Sequence, residues 1–307
     1  MERVRVGLVG LGKIARDQHL PAIADDSRFA LAAIASRNAG LDEVPSFATI
    51  DEMLASGIEL DAVSLCTPPR GRIDQALAAI DAGLHVMMEK PPAATVSEAM
   101  TVADRARDRG VVLFATWHSR EAAGVEPARQ WLADRRIDAV RIVWREDIRR
   151  WHPGQDWILE AGGFGVFDPG INALSIATRI LSDPLRVEAA AIEVPAGRQG
   201  PLAVQLAMRS GSVPVSADFD FLQTGPQTWD IEVDTDGGTL ILSMGGSILR
   251  LPGAAPVEQP DREYPRLYQR FADLVARGES DVDLRPLQLV ADAFLIAERK
   301  VSDAFDW

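Results

Sequence analysis

The stretch VRVGLVGLGKIA, residues 4–15, is a short apolar run followed at once by a glycine-rich turn. Gly10, Gly12 and Ala15 have the spacing G-x-G-x-x-A, in which the first glycine permits a tight turn and the second lets a ligand approach the backbone. A helix that begins near Lys13 would offer free N–H groups to phosphates. A purely structural turn is the alternative, but strand, turn and helix come in the order that favours dinucleotide binding. The residues expected at the cofactor here are Gly10, Gly12, Lys13 and Ile14.

Around this turn, the first third of the chain alternates strand patterns with helical patterns. Helical patterns separate four further apolar runs, at residues 29–36, 61–66, 84–90 and 111–117. Continuously apolar strands that alternate with helices predict an α/β fold, here the doubly wound parallel sheet of a Rossmann domain. Capping boxes predict two of the helix starts, one at Thr49 with Glu52 and one at Thr95 with Glu98.

After about residue 120 the pattern changes. A helix at 124–134 leads into an alternating strand at 138–147, and a further helix follows Asp168. Strand patterns then lie at 202–210, 213–221, 228–244 and 247–252, and helical patterns lie at 261–277 and 284–299. Strands beside segregated helices predict an α+β domain with a large, mostly antiparallel open sheet. We therefore expect a Rossmann domain at 1–120 and a substrate-binding domain at 121–307, with the last helix packing back on the first domain.

The charge and the cysteine content narrow the function classes. The formal net charge is −13 and the sequence pI is near 4.8, which opposes binding to nucleic acid or to anionic membrane surfaces. The single cysteine, Cys66, excludes an intrachain disulfide and a cysteine-based metal site, and it suits a reducing cytoplasm. No group of acids and histidines suggests a metal site. The first apolar run is too short for a signal peptide or a membrane span.

The end of the second strand bears on the choice of cofactor. NAD-binding domains usually have an acid there for the ribose 2′-hydroxyl, whereas this chain has Ser36, Arg37 and Asn38. A hydroxyl and a cation suit a 2′-phosphate. The alternative is that Arg37 is a solvated loop arginine, because Asp42 and Glu43 are close in sequence. The sequence predicts NADP as the cofactor, with NAD as a possible second one.

A second motif, MMEKPPA at residues 87–93, comes directly after a strand. Ligands of doubly wound sheets bind at the carboxyl ends of the strands, so Glu89 and Lys90 are expected beside a nicotinamide ring. The sequence CTPP at 66–69 ends another strand in the same way. Cys66, Thr67 and Pro68 are expected at the same edge, although for Cys66 a stiff turn with a small buried side chain is the favoured interpretation.

The stretch FDPGIN, residues 167–172, has two interpretations. Asp168 before Pro169 is typical of a helix N-cap with proline at the first helical position. Asp168 and Asn172 are also an acid and an amide one helical turn apart, which places them on the same face of the helix. The two interpretations are compatible, since a capping carboxylate can still face a reaction site.

With EKPP after a strand of a Rossmann domain and an α+β domain behind it, the chain resembles the glucose-fructose oxidoreductase / inositol dehydrogenase (Gfo/Idh/MocA) family. The stretches 114–120, 143–158 and 162–181 resemble the sugar 1-dehydrogenase subgroup acting on L-arabinose and D-galactose. The resemblance implies NAD(P)-dependent oxidation of an aldopyranose, of the L-arabinose, D-galactose or D-fucose type, at C1 to the lactone by hydride transfer.

The resemblance also bears on the residue that accepts the proton. Many relatives place a histidine four residues after the aspartate, whereas this chain has Asn172, and an amide does not titrate near neutral pH. Proton transfer then falls to Lys90 and Asp168. Our hypothesis is that Lys90 and Asp168 form a coupled acid/base pair and that Asn172 orients the C1 hydroxyl or the ring oxygen.

For the sugar, analogy with the subgroup indicates five further residues. Aromatic faces suit the C–H side of a pyranose, while carboxylate and imidazole groups can bind its hydroxyls. The alternative is that the tryptophans pack between elements and that the histidines are structural, as we expect for His19 and His85. Besides Asp168 and Asn172, the candidates for substrate binding are His118, Glu146, Trp151, His152 and Trp229.

Two other functions compete with this one. One is a catalytically silent NADP(H)-binding regulator, because one fold serves unrelated functions. The other is a dehydrogenase of another polyol or of a cyclitol.

The strand patterns also suggest how copies of the chain associate. The half-apolar segments AVQLAM (203–208) and TLILSM (239–244) should leave an apolar patch on the open face of the second sheet. We therefore expect a homodimer through that face.

Overall fold

The computed structural model describes residues 3–37 and 39–307, so Asn38 lies outside the described residues. The chain divides into two compact units, Met1–His118 with Glu263–Leu284, and Ser119–Arg262 with Arg285–Trp307. The helix Glu263–Arg277 therefore belongs to the first unit, although it comes late in the sequence. The last helix, Arg285–Ile296, belongs to the second unit.

The first unit is built on a parallel sheet. Its described strands are β1 (Val4–Val9), β2 (Phe29–Ala35), β3 (Ser46–Phe47), β4 (Ala62–Leu65), β5 (His85–Met88) and β6 (Leu113–Ala115). They lie in the order β3-β2-β1-β4-β5-β6, with each neighbouring pair parallel. The helices between them are α1 (Leu20–Asp25), α2 (Ile50–Ala55), α3 (Arg72–Asp81) and α4 (Val96–Arg109), and a π-helical turn, Ala15–His19, leads into α1. The predicted doubly wound Rossmann sheet is confirmed.

Both predicted capping boxes are present. Thr49 Oγ1 accepts from Glu52 N at 3.2 Å, and Glu52 Oε2 accepts from Ala48 N at 3.0 Å. Thr95 Oγ1 accepts from Glu98 N at 3.2 Å in the same manner. These side chains satisfy N–H groups that the first turns of α2 and α4 leave without a partner inside the helix.

The second unit is built on a mixed, mostly antiparallel sheet. Its described strands are β7 (Ile137–Arg145), β8 (Leu185–Pro195), β9 (Ala203–Ser210), β10 (Val213–Asp220), β11 (Thr228–Thr235), β12 (Gly238–Ser243), β13 (Ile248–Arg250), β14 (Val257–Glu258) and β15 (Glu298–Ser302). They lie in the order β14-β13-β12-β11-β7-β10-β9-β8-β15. Of these pairs, β7 with β10 and β8 with β15 are parallel and the others are antiparallel. The predicted α+β second domain is confirmed.

The helices complete the two units. Those of the second unit are α5 (Val125–Leu132), α6 (Ile148–Trp151), α7 (Phe167–Ile180) and α9 (Arg285–Ile296), while α8 (Glu263–Arg277) belongs to the first unit. The helix predicted at 284–299 ends at Ile296, and β15 pairs with β8 through Glu298 and Ala191. Edge strand β15 is largely charged and exposed, so main-chain pairing and not an apolar pattern determines it.

The open face of the second sheet differs from the expectation. Val204, Leu206 and Met208 are no more than 3% exposed, and Leu240 and Leu242 are as deeply buried. Outward-facing side chains of the same sheet form ion pairs instead, Arg141 with Glu232, Arg145 with Asp218 and Arg209 with Glu188. These five apolar side chains therefore do not form the apolar patch predicted for the open face, because alternation turns them to the buried face. Met244, at the end of TLILSM, is the exception and is 46% exposed.

Candidate active site

The glycine turn after β1 packs against the turn that follows β4. Gly10 has a φ of +91°, and a Cβ built on it would lie 2.9 Å from Thr67 Cγ2. Glycine is therefore required at position 10, because the backbone there is left-handed and because a side chain would collide with Thr67. A Cβ built on Gly12 would meet no atom of the described residues within 4 Å, so the space in front of Gly12 is open. Lys13 and Ile14, just beyond it, are exposed.

The end of β2 lies directly beside this turn. Gly10 N donates to Ala35 O at 2.8 Å, which places Ser36 and Arg37 next to the glycines. Ser36 is half-buried and Arg37 is exposed. A hydroxyl and a guanidinium thus follow the strand that hydrogen-bonds to the glycine turn.

The turn after β4 contains the other residues predicted at the cofactor edge. Cys66 and Thr67 are half-buried and Pro68 is exposed. Thr67 Oγ1 donates to Gln75 Oε1 at 2.6 Å, and Cys66 Sγ lies 3.9 Å from Ser64 O. Cys66 therefore fits the favoured interpretation of a small side chain packed in a stiff turn.

Lys90 follows β5 in a loop whose backbone is held from both sides. Lys90 N donates to Glu89 Oε2 at 2.9 Å. The guanidinium of Arg72, the first residue of α3, donates to the carbonyl oxygens of Glu89 and Pro91 and from Nε to Thr67 O at 3.0 Å. The side chain of Lys90 itself is half-buried. The structure thus presents this ammonium group from a fixed backbone.

Glu89 lies at the centre of a buried polar network. Its Oε1 accepts from Tyr264 Oη at 2.7 Å and pairs with His19 Nε2 at 2.9 Å, while His19 Nδ1 lies 2.9 Å from Tyr268 Oη. Glu89 is 4% exposed and His19 is fully buried. Burial alone would raise the pKa of Glu89, but the hydrogen bond and charge of His19 hold it below its usual range. The structure thus places the Glu89 carboxylate inside the first unit, where it holds Lys90.

His118 adjoins this network through Tyr264. Its Nδ1 lies 2.5 Å from Glu263 Oε2, and its ring stacks on Tyr264 at 5.6 Å between centroids. Burial alone would lower the pKa of His118, but the charge and hydrogen bond of Glu263 raise it above its usual value. The charge of Glu89 adds to this rise and that of Lys90 opposes it. His118 is therefore part of the electrostatic surroundings of Lys90.

In the second unit, four of the residues predicted to bind substrate lie together. Glu146, which directly follows β7, is 2% exposed. Its Oε2 accepts from Trp229 Nε1 at 2.9 Å, and its Oε1 lies 3.2 Å from His152 Nε2. The rings of Trp151 and Trp229 are 5.0 Å apart. We name Glu146, Trp151, His152 and Trp229 the Glu146 cluster.

Asp168 and Asn172 lie one turn apart on α7. The cap position of this helix is Val166, so the interpretation of Asp168 as the N-cap is wrong, because the helix begins one residue before it. Asp168 lies in the first turn, where the helix dipole stabilises negative charge, and is 6% exposed. Asn172 Oδ1 is buried and has no hydrogen-bond partner among residues 3–37 and 39–307. A buried amide oxygen in this condition fits a ligand hydroxyl.

Five residues of the first unit contact the Lys90 loop or the polar network beside it, and the sequence predicted no such role for them. The chain has only two tyrosines, and their spacing of four residues puts both on one face of α8. That spacing was a usable signal. The others gave none, because an arginine at a helix start and a histidine in a helix are ordinary residues in those places. The missed residues are His19, Arg72, Glu263, Tyr264 and Tyr268.

Comparisons with known proteins agree with this geometry. Residues 4–117 match the model of the Gfo/Idh/MocA family, described as an oxidoreductase family with an NAD-binding Rossmann fold. The chain is 40% identical over 318 residues to galactose 1-dehydrogenase of Pseudomonas fluorescens, with 99% of both chains covered. The chain belongs to the Gfo/Idh/MocA oxidoreductase family. The predicted family and the predicted class of enzyme, an NAD(P)-dependent oxidoreductase, are confirmed.

Two further proteins are similar to this chain over most of their length. The crystal structure of D-galactose-1-dehydrogenase from Rhizobium etli has a TM-score of 0.95 and 48% identity, covering 100% of this chain and 99% of that one. D-xylose 1-dehydrogenase (NADP(+)) 2 of Haloferax volcanii is 31% identical over 301 residues, covering 89% of this chain and 90% of the relative. The likeness thus includes both units.

The described residues also lack metal-binding clusters and membrane-spanning helices. Within residues 3–37 and 39–307, no group of three or more histidine, cysteine, aspartate or glutamate side chains is placed to hold a metal ion. Nor does any helix in those ranges have the length and apolar character needed to cross a membrane.

Proposed function

We propose that the protein oxidises an aldopyranose at C1 to the lactone, with D-galactose as the best-supported substrate and NADP as the preferred cofactor. The observation that carries the proposal is the Glu146 cluster, in which one buried carboxylate orients an indole and an imidazole. Aromatic faces with adjacent polar groups suit a pyranose. The full-length similarity to two galactose 1-dehydrogenases supports the same substrate class.

The glycine turn fits a dinucleotide. The open space at Gly12 and the helix start behind it suit the pyrophosphate, with Lys13 and Ile14 alongside. We assign the ribose 2′-phosphate to Ser36 and Arg37, because a guanidinium binds phosphate strongly. The edge formed by Cys66, Thr67, Pro68, Glu89 and Lys90 is assigned to the nicotinamide half. When bound there, NADP would supply the hydride acceptor for the oxidation at C1, and NAD is the expected second cofactor.

The protein must take the proton of the C1 hydroxyl as the C1–H bond breaks. We assign this proton to Lys90 and Asp168 acting as one acid/base pair. Asn172 contributes its buried Oδ1, which has an open hydrogen-bonding capacity for a sugar hydroxyl. Since Asn172 cannot titrate near neutral pH, it orients the sugar and does not take the proton.

The sugar itself is assigned to the Glu146 cluster and His118. Trp151 and Trp229 would cover the C–H side of the ring, and His152 and His118 would bind hydroxyls. Glu146 keeps acceptor capacity beyond its two present partners, since an ionised carboxylate has about four lone-pair sites.

A panel of aldoses tests the proposal. NADP reduction is followed with D-galactose, D-fucose, L-arabinose, D-glucose and myo-inositol, and the same panel is repeated with NAD. We expect the highest kcat/KM with D-galactose or its close relatives and NADP, with lactone formed in equal amount to NADPH. Turnover of myo-inositol alone would favour a cyclitol dehydrogenase. No turnover, together with tight NADPH binding, would favour a catalytically silent regulator.

We also infer a homodimer through the open face of the second sheet, and a cytoplasmic location. Ion pairs place side chains of both signs on that face, and small side chains such as Ala189, Ala191 and Ala207 line a depression of about 690 Å³ there. Such a surface is complementary to a second copy of itself. Sedimentation of the wild-type chain and of Ala207→Arg tests this, with a dimer and a weakened dimer expected. A monomeric wild-type chain would exclude it.

A further inference from the structure

Arg72 is a buried cation that the proposed reaction does not use directly. It is 2% exposed, although it begins a surface helix of the first unit. Its guanidinium donates to Thr67 O after β4 and to Glu89 O and Pro91 O after β5. One side chain thus joins two loops at the carboxyl edge of the sheet.

Burying a guanidinium costs free energy unless its N–H groups are hydrogen-bonded. Here the acceptors include main-chain carbonyls on either side of Lys90. The amide N–H of Lys90 is held from the other direction by Glu89 Oε2 at 2.9 Å. The Glu89–Lys90 peptide group and the Pro91–Pro92 peptide group, which flank the Lys90–Pro91 bond, cannot rotate without breaking a charge-assisted hydrogen bond to Arg72.

The restraint matters because of the lysine side chain. A lysine ammonium is a point charge on a flexible four-carbon stem, so the position of its Cα limits where the charge can lie. The planar guanidinium has five N–H donors in a fixed fork, which allows it to reach both loops at once. Neither a lysine nor a neutral amide at position 72 could hold both loops in this way.

We propose that Arg72 is a positioning residue that sets the place of the Lys90 ammonium group relative to the cofactor edge. This role rests on the proposed function, in which Lys90 shares in proton transfer. Arg72 acts through the backbone of Lys90, with Glu89 holding the same backbone from the opposite side.

The composition of the chain offers a direct measurement. Its lysines are Lys13, Lys90 and Lys300, and the side chains of Lys13 and Lys300 are exposed. Acetylation by a limiting amount of acetic anhydride, followed by peptide mass spectrometry, gives the rate at Lys90 relative to the other two. This ratio reports the surroundings of Lys90 without any need for turnover.

The test compares Arg72→Gln with the wild-type chain and with Arg107→Gln, a matched change at an exposed arginine of α4. For Arg72→Gln we expect the Lys90 labelling ratio to change by about threefold or more and kcat with D-galactose to fall by about tenfold or more. We also expect kcat to fall by a larger factor than KM for galactose rises, and the pH midpoint of kcat to move by about half a unit. Arg107→Gln should behave as wild type.

A purely structural role would lower Tm and leave both the labelling ratio and the pH midpoint unchanged, and that result would overturn the proposal. If Arg72→Gln does not fold, the pH midpoint and kcat of Arg72→Lys are measured in its place. Wild-type values of both quantities in Arg72→Lys would also overturn the proposal. A wild-type chain that oxidises no sugar would refute the proposed function. The labelling ratio would then still decide whether Arg72 positions Lys90.

Discussion

Lys90 in the first unit and Glu146 in the second both take part in polar networks with buried members, but their roles there are opposite. The backbone of Lys90 is fixed by Arg72 and Glu89. Glu146 instead uses its own carboxylate to hold Trp229 and His152. One site residue is positioned, whereas the other positions its neighbours.

This difference predicts how each region fails when it is altered. Around Lys90 a change should act on the chemical step, because it moves or removes a proton-transfer group. Around Glu146 a change should act on sugar binding, because it loosens an indole and an imidazole. The two regions can therefore be separated by whether kcat or KM responds.

The largest effect is expected at the proposed acid/base pair. Lys90→Met and Asp168→Asn should each lower kcat by about 10³-fold, since each removes a group that holds the transferred proton. The double variant should be little worse than either single one, because the two residues act as a unit. Steady-state kinetics with D-galactose and NADP measures this. Losses that multiply in the double variant would separate the two roles.

A smaller effect is expected at Glu146. Glu146→Gln keeps the size of the side chain but turns an N–H donor toward Trp229 or His152, which costs about 1–2 kcal/mol for the mismatched pair. KM for galactose should rise by about tenfold with kcat changed by less than about threefold. Asp234→Asn, at an exposed carboxylate of the same sheet, is the matched control. A selective loss of kcat would assign Glu146 to the chemical step.

The cofactor preference should respond at Arg37. Arg37→Ala should raise KM for NADP by about tenfold and leave KM for NAD within about twofold, because only NADP has the 2′-phosphate that a guanidinium binds. Initial rates with both cofactors measure this ratio, with Arg107→Ala as the control. Equal effects on the two cofactors would place the 2′-phosphate elsewhere.

The smallest effect concerns stability. His118 has a raised pKa in the folded protein, so its contribution is fully present below its ordinary value of 6.5 and is lost as the pH rises through the higher folded value. Glu263→Gln should therefore cost about 1.5 kcal/mol near pH 6 and less near pH 9, because it removes the carboxylate that favours the charged imidazole.

Urea unfolding at both pH values tests this, with Glu279→Gln, at an exposed carboxylate of the same unit, as the control. A cost that is the same at both pH values would mean that Glu263 does not raise the pKa of His118.

The sequence predicted the features that depend on residues close together in the chain, and it did not predict those that depend on distant residues. The glycine turn and the capping boxes are set by residues within a few positions of each other, and the structure has them as predicted. Strand β15 was missed because a charged edge strand has no apolar alternation, and its pairing with β8 is formed by the main chain. Asp168 was misread as a cap because proline is tolerated throughout the first turn of a helix.

The candidate site divides in the same way. The four members of the Glu146 cluster were predicted, and the structure brings them together. Arg72 could not be predicted, because its partners are main-chain carbonyls of other segments and leave no trace in residue types. Glu263 and Tyr264 come from a helix far along the chain, and their approach to His118 and Glu89 depends on the tertiary fold.

The most direct test of the central claim, oxidation of an aldose at C1, uses D-galactose that carries deuterium at C1. We predict that each turnover transfers the deuterium to the reduced cofactor, that the sugar product is the unlabelled lactone, and that the rate falls by about twofold or more when bond breaking limits it. Reduced cofactor without deuterium, or deuterium retained in the oxidised sugar, would contradict the account.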